Sequence, residues 1–302
     1  MPKTALTNSI QLTPRDIQII LAVYNYDGLF SYQVRRRFWG QNGHQKSYNG
    51  RLAQLIKSGY LRARPMDSAT GRGSGQRLIT IGPASHPILS ELEGLSRADI
   101  ARLRHSIVLS VWRHDAFVRD FRMSLELAAE AHPSVDHVEW INESEFKRSP
   151  INVEVTDPQR PERLLKVPLV PDGVFTLELS SGKRKQHYLE WDQDTEQSPA
   201  KIKPRLRAYL KHAGSTHSPV LWVVPSRKRA EQLVRWIQQE ADSLAVRPSI
   251  FALTTQPQLD ERRILTHPIW QVVGNTAPLS LLPSSTAATA WLESLAPEVV
   301  QA

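Results

Sequence analysis

Three carboxylates stand out by their spacing and their neighbours. Asp172 lies in Val170-Pro171-Asp172-Gly173 at the head of an apolar run, and Glu190 and Asp192 lie in Leu189-Glu190-Trp191-Asp192 at the end of the next one. Acidic side chains brought to one end of neighbouring strands suit a hard divalent cation, which takes oxygen ligands. The same pair can equally be satisfied by local hydrogen bonds and do no chemistry. Composition removes other chemistries. The 302 residues include no Cys, which excludes disulfide scaffolds, zinc ribbons, iron-sulfur clusters and thiol catalysis, so any metal must sit on carboxylates or imidazoles. The ten His contain no His-x-His pair. No Gly-Lys-Ser/Thr follows Gly71-Arg72-Gly73-Ser74-Gly75, and no Gly-x-Ser-x-Gly elbow occurs, which sets aside phosphate-loop and serine-hydrolase sites.

The elements that must position these carboxylates can be read from periodicity. Val174 to Leu179 is a strand, Ser181-Gly182 turns the chain, and Gln186 to Asp192 is its partner. Tyr188 and Glu190 then share one face, and His187, Leu189 and Trp191 the other. Upstream, apolar residues from Ile107 to Leu127 predict a long helix ending near His132-Pro133, followed by a short strand, Val135 to Ile141. The Pro-containing stretch from Ser149 to Leu165 reads as irregular. Downstream, Pro199 to His212 reads as a helix, with Pro204 arguing against a regular first turn. Val220 to Val224 is a buried strand, Arg227 to Leu244 an amphipathic helix, Ser249 to Leu253 a strand, and Ile269 to Val273 one more. The order helix, three strands, helix, strand describes an α/β domain within a chain that is α+β overall.

Charge separates this domain from what precedes it. The net charge is +8, yet residues 1–81 hold 12 Lys or Arg against Asp16, Asp27 and Asp67 only, a balance of +9. The rest balances at −1. A small polyanion-binding domain joined to a nearly neutral one is the expected reading. Thr13 and Pro14 mark a first helix through Ile17, Ile20, Leu21 and Tyr24. Ser31 is the expected cap of a second helix, Tyr32 to Phe38, carrying Arg35, Arg36 and Arg37. A third runs from about Lys46 to Ser58, and a hairpin, Leu61 to Pro65 with Arg77 to Ile81, encloses the glycine-rich tip. This is the winged helix-turn-helix pattern. The third helix would enter the major groove, with Asn49 and Arg51 offering base-edge donors, Lys46 and Ser47 holding phosphates, and Tyr48 beside them. Arg62, Arg64 and, at the wing tip, Arg72 complete the expected DNA contacts. The expected division is therefore a winged-helix domain over residues 1–85, an α/β domain over 86–274 and a tail over 275–302.

Asp172 and Glu190, on strands in this order, resemble the PD-(D/E)XK nuclease core. The resemblance implies a magnesium or manganese ion on Asp172 and Glu190, with a Lys two positions after the Glu to orient or activate water. This chain has Asp192 there instead. Lys201 or Lys203 in the next helix would have to supply the ammonium, or Asp192 would be a further ligand, or the domain no longer cuts.

The combination resembles the replication-relaxation family: a winged helix, Arg104-His105 opening a long helix, Val170-Pro171-Asp172-Gly173-Val174-Phe175, and Glu190 to Glu196 followed by Lys201, Lys203 and Tyr209. The resemblance spans roughly residues 10–225. It implies a double-stranded DNA-binding protein of a plasmid or mobile element, acting in replication, transfer or mobilisation. Its nuclease-like domain is either a metal-dependent endonuclease or a binding platform. Partners implied are DNA, a second copy of the chain, or a relaxase, replication or transposition protein. A non-enzymatic winged-helix transcriptional regulator is the alternative. No apolar run reaches the length of about 18 residues that spans a membrane, and the N-terminus lacks a signal-peptide pattern, so a cytoplasmic location without membrane contact is expected.

Overall fold

The computed structural model describes residues 10–40, 45–66, 76–96, 98–99, 112–157, 160, 162–194 and 198–282. It divides into two compact units, Met1–Asp120 and Phe121–Ala302. The wing tip with Arg72, the helix expected between Arg97 and Val111 (apart from Ala98 and Asp99), and the tail beyond Leu282 lie outside the described residues.

In the first unit, α1 (Pro14–Asn25) starts as its sequence predicts. Pro14 opens the helix, Thr13 Oγ1 accepts from the Asp16 amide, and the Asp16 carboxylate accepts from the Thr13 amide at 2.7 Å. The strand β1 (Leu29–Phe30) leads into α2 (Ser31–Trp39). The expected cap at Ser31 is not formed. Ser31 is already helical, and the Gln33 carboxamide reaches back to accept from the Phe30 amide at 2.9 Å. Helix α3 (Gln45–Lys57) buries Tyr48, Leu52 and Leu55 and ends at Gly59, whose φ of +76° suits a residue without Cβ. The strands β2 (Leu61–Pro65) and β3 (Arg77–Ile81) pair antiparallel, and β1 adds to β3, in the order β1-β3-β2. A short 3-10 turn, Pro83–Ser85, precedes α4 (His86–Glu93).

Helix α5 (Trp112–Glu130) carries the division between the units within it. Its first half is tied into the first unit. The Asp120 carboxylate accepts from Tyr32 at 2.5 Å and from Gln33 at 2.9 Å, and Gln33 also donates to the Ala116 carbonyl. Gln33 is fully buried, so all its polar capacity is met inside the protein.

The second unit is built on a six-stranded mixed sheet whose strands lie in the order Gln271–Val272, Phe251–Thr255, Val220–Val224, Arg184–Trp191, Gly173–Leu179 and Val135–Asn142. Strands β4 (Val135–Asn142), β7 (Gly173–Leu179) and β8 (Arg184–Trp191) run antiparallel in sequence. Parallel pairing begins where helices make the crossovers. Helix α7 (Pro199–Thr216) carries the chain from β8 to β9 (Val220–Val224), and α8 (Arg227–Leu244) from β9 to β10 (Phe251–Thr255). The strand β11 (Gln271–Val272) closes one edge. A short helix, α6 (Glu143–Arg148), follows β4. The stretch expected to be irregular is instead a hairpin, β5 (Ile151–Thr156) with β6 (Leu164–Leu169). Helix α7 also continues through Pro204.

Alternation along the strands splits the core between two faces. Val174, Tyr188, Trp222 and Phe251 pack with Leu206, Tyr209, Leu233 and Ile237 of α7 and α8. On the other face Phe121 of α5 meets Phe175, Trp140 and Trp270 at ring-centroid distances of 6.0, 6.3 and 6.4 Å. His187 stacks on Phe175 there at 4.7 Å, fully buried, and burial foremost pushes its pKa down to about 3. It is therefore a neutral core residue at ordinary pH. Among the described residues no helix is long and apolar enough to cross a membrane.

Candidate functional site

The strand pairing brings the three carboxylates to one end of β7 and β8. The Asp172 amide donates to the Leu189 carbonyl at 3.0 Å, and its carboxylate accepts from the Trp191 amide at 2.6 Å, which fastens the start of β7 to β8. Gly173 belongs to the same device. A Cβ there would lie 2.3 Å from the Trp140 ring, so glycine is required for the indole to lie against the strand.

Glu190 is 2% exposed and engaged at both oxygens. Oε1 accepts from the Tyr209 hydroxyl at 2.5 Å, and Oε2 lies 3.2 Å from Arg205 Nη2. Tyr209 is fully buried, and burial together with the Glu190 charge drives its pKa well above the ordinary phenol value, so it remains a donor. The Arg205 guanidinium lies over the Trp222 ring, 5.4 Å from its centroid. The Glu190 charge foremost raises the pKa of Arg205 against the effect of burial, with Tyr209, Asp172 and Asp192 adding to it. The acidic cluster therefore converges on a guanidinium.

Asp192 has a different set of partners. One oxygen accepts from the Asp194 amide, and the other takes Nε and Nη2 of Arg229, each at 2.8 Å. Arg229 is 1% exposed, sits in the first turn of α8 after the Ser226 cap, donates to Gln232, and lies over Trp236. Of the two lysines considered for catalysis, Lys203 is turned to α8, with Nζ 3.0 Å from Glu240 and 3.1 Å from Gln239. The helical repeat explains why. Residues 201 and 203 are about 200° apart around the axis, whereas 201, 205 and 209 share a face. Arg207, on the Lys203 side, ion-pairs with the buried Glu240. Arg205 is thus the cation at Glu190 that sequence reading missed, and its fourfold spacing from Lys201 and Tyr209 was the available signal.

These residues do not fit a divalent cation as they are folded. Such an ion needs several oxygen lone pairs aimed at one point. Here both oxygens of Glu190 and of Asp192 are taken by protein donors, and one oxygen of Asp172 by a backbone amide. Among the described residues no three His, Asp or Glu side chains gather as a metal group. A +2 ion about 4 Å from a fixed guanidinium is also repelled by about 8 kcal/mol at an effective dielectric constant of about 20.

In the first unit, the residues expected to touch DNA divide into two groups. Lys46, Ser47 and Asn49 on α3 and Arg62 and Arg64 on β2 are exposed. Tyr48 is buried instead, with its hydroxyl on the Ser31 carbonyl and its ring edge-on to Trp39. Arg51 is also turned inward. Its Nε donates to Asp16 at 2.9 Å, Nη2 completes the fork and also donates to the Gln11 carbonyl, and Nη1 donates to Gln54. Arg35, Arg36 and Arg37 are partly buried; near Arg36, burial foremost raises the pKa of Asp120, and the Tyr32 and Gln33 hydrogen bonds and then the Arg36 charge oppose that rise only in part.

The fold and site together define a two-unit protein, a basic helical unit with a small sheet followed by a mixed α/β unit with acidic residues gathered at its strand ends. The chain belongs to the replication-relaxation family, whose model matches residues 26–220. That span includes Asp172, Glu190, Arg205 and Tyr209 but not Arg229. Membership ties the protein to the replication or relaxation of plasmid or mobile-element DNA. No curated protein and no solved structure matches the chain.

Proposed function

We propose that the protein binds duplex DNA in the replication, transfer or mobilisation of a plasmid or related element, reading the duplex with its first unit as a winged helix-turn-helix. The second unit, PD-(D/E)XK-like in the order of its elements, serves as a binding platform. The observation that carries this reading is the exposed row Lys46, Asn49 and Lys57 on α3, accompanied by Arg62 and Arg64 on β2. It lies in a segment with a balance of +9. Gly50 and Ala53 are exposed on the same helix, and their small side chains let its backbone approach a groove closely. Asn49 has the paired donor and acceptor that match adenine, while Lys46, Arg62 and Arg64 suit phosphates.

The test is fluorescence anisotropy of the full chain on a duplex selected from a random pool. Lys46→Ala, Arg62→Ala and Arg64→Ala should each weaken binding to all duplexes and flatten the dependence of log affinity on log salt by about 0.9. Asn49→Ala should cost about 1–3 kcal/mol on the selected duplex and relax preference at one base pair. Unchanged binding in all four variants would remove the first unit from DNA recognition.

A further inference from the structure

Glu190 lies at the end of β8 under two groups from one face of α7, the Tyr209 hydroxyl on Oε1 and the Arg205 guanidinium beside Oε2. Tyr209 is fully buried, whereas 40% of the Arg205 side chain is exposed. Of the two groups that engage the carboxylate, the arginine is therefore the one that reaches solvent. Trp222 beneath the guanidinium holds it in plane. A compact hydrated ammonium in this position would lack both the fork that meets a carboxylate and the flat face that stacks on indole.

We propose that Arg205 is the built-in counter-cation of this acidic site: the guanidinium stands where the fold would otherwise seat a divalent ion, so the pair Asp172 and Glu190 takes up neither magnesium nor manganese and leaves the phosphodiester backbone uncut. Asp192 does not supply a substitute, because Arg229 occupies it. The positive charge is supplied by the chain itself, and its role is to fasten α7 across the ends of β8 and β9. The inference is independent of DNA recognition by the first unit, since all its residues lie in the second unit and its test needs no DNA.

The experiment titrates manganese into the full-length protein and follows the free ion by its electron paramagnetic resonance signal, with thermal unfolding in parallel. The wild type should leave the signal undiminished and show no rise in melting temperature on adding the ion. Arg205→Ser, which opens Glu190 to solvent, should acquire one manganese per chain, detected as lost signal and a raised melting temperature, and Asp172→Asn in that background should abolish it. Arg205→Gln, which keeps most of the packing on Trp222, provides the same comparison if the serine variant does not fold. Stoichiometric manganese binding by the wild type that disappears in Asp172→Asn would overturn the proposal. So would folded Arg205→Ser and Arg205→Gln proteins that still bind no ion, because Arg205 would then not be what excludes it.

Discussion

Arg51 sits on the third helix of a basic unit, yet its guanidinium is directed to Asp16 at the start of α1. Burial acts to raise the Asp16 pKa, but hydrogen bonds from Arg51 and Thr13 outweigh it and hold the value at about 2, against an ordinary 3.8. The carboxylate is fully buried, so removing its partner strands a charge. Arg51→Ala should destabilise the protein by about 2–3 kcal/mol. A depressed carboxylate pKa stabilises the fold above the unfolded value. That contribution fades as pH falls from about 4 to about 2. Urea unfolding across that range should show this part of the acid sensitivity in the wild type and less of it in Arg51→Ala, which keeps only the Thr13 hydrogen bonds. Loss of DNA binding in the same variant would then report a damaged fold, which is why Asn49 and Lys46 are the informative positions.

At the scale of elements, the register of β4 on β7 depends on a single missing side chain. Asn142 pairs with Gly173 and Trp140 with Phe175, and the Trp140 ring covers the glycine while stacking on Phe175 with only 3° between the planes. Gly173→Ala should displace the indole and cost about 1–3 kcal/mol or more, read as a lowered melting temperature and an altered near-ultraviolet tryptophan signal. Most of this element order is legible from sequence. Helix α8 spans Arg227–Leu244 as its amphipathic pattern predicts, because a Ser cap and an unbroken apolar stripe set its limits. The β5–β6 hairpin was hidden because Pro150, Pro158 and Pro161 made residues 149–165 read as irregular. Pro168 lies within β6 opposite Asn152, and it is tolerated because a two-stranded ribbon leaves one side of each strand unpaired. The carboxylates Asp172 and Glu190 were legible by type and spacing, but their partners were not. Which arginine of α7 and α8 turns to the carboxylates depends on tertiary packing around Trp222 and Trp236; hydrophobic periodicity does not mark Arg229, and for Arg205 only its four-residue spacing from Lys201 and Tyr209 gave a signal.

For the whole molecule, the division of charge between the basic N-terminal segment and the neutral remainder predicts where salt will act. If the first unit holds phosphates as proposed, DNA affinity should fall steeply with ionic strength. Arg205→Gln in the second unit should leave the slope of log affinity against log salt within error of wild type, in the same anisotropy titration in which Arg62→Ala lowers it. The pair formed by Asp192 and Arg229 has a different consequence, for the mutational paths open to this chain. A lysine at 192, the residue that the nuclease pattern calls for, would face a guanidinium that is 1% exposed. Removing Arg229 first would instead strand Asp192, 8% exposed, without its partner, and a broken buried pair of this kind costs about 3–5 kcal/mol. Either first step toward that lysine is penalised, and only a paired change is smooth. The nuclease pattern is thus hard to reach from this sequence because of an arginine that lies nine residues beyond the stretch by which the chain is assigned to its family.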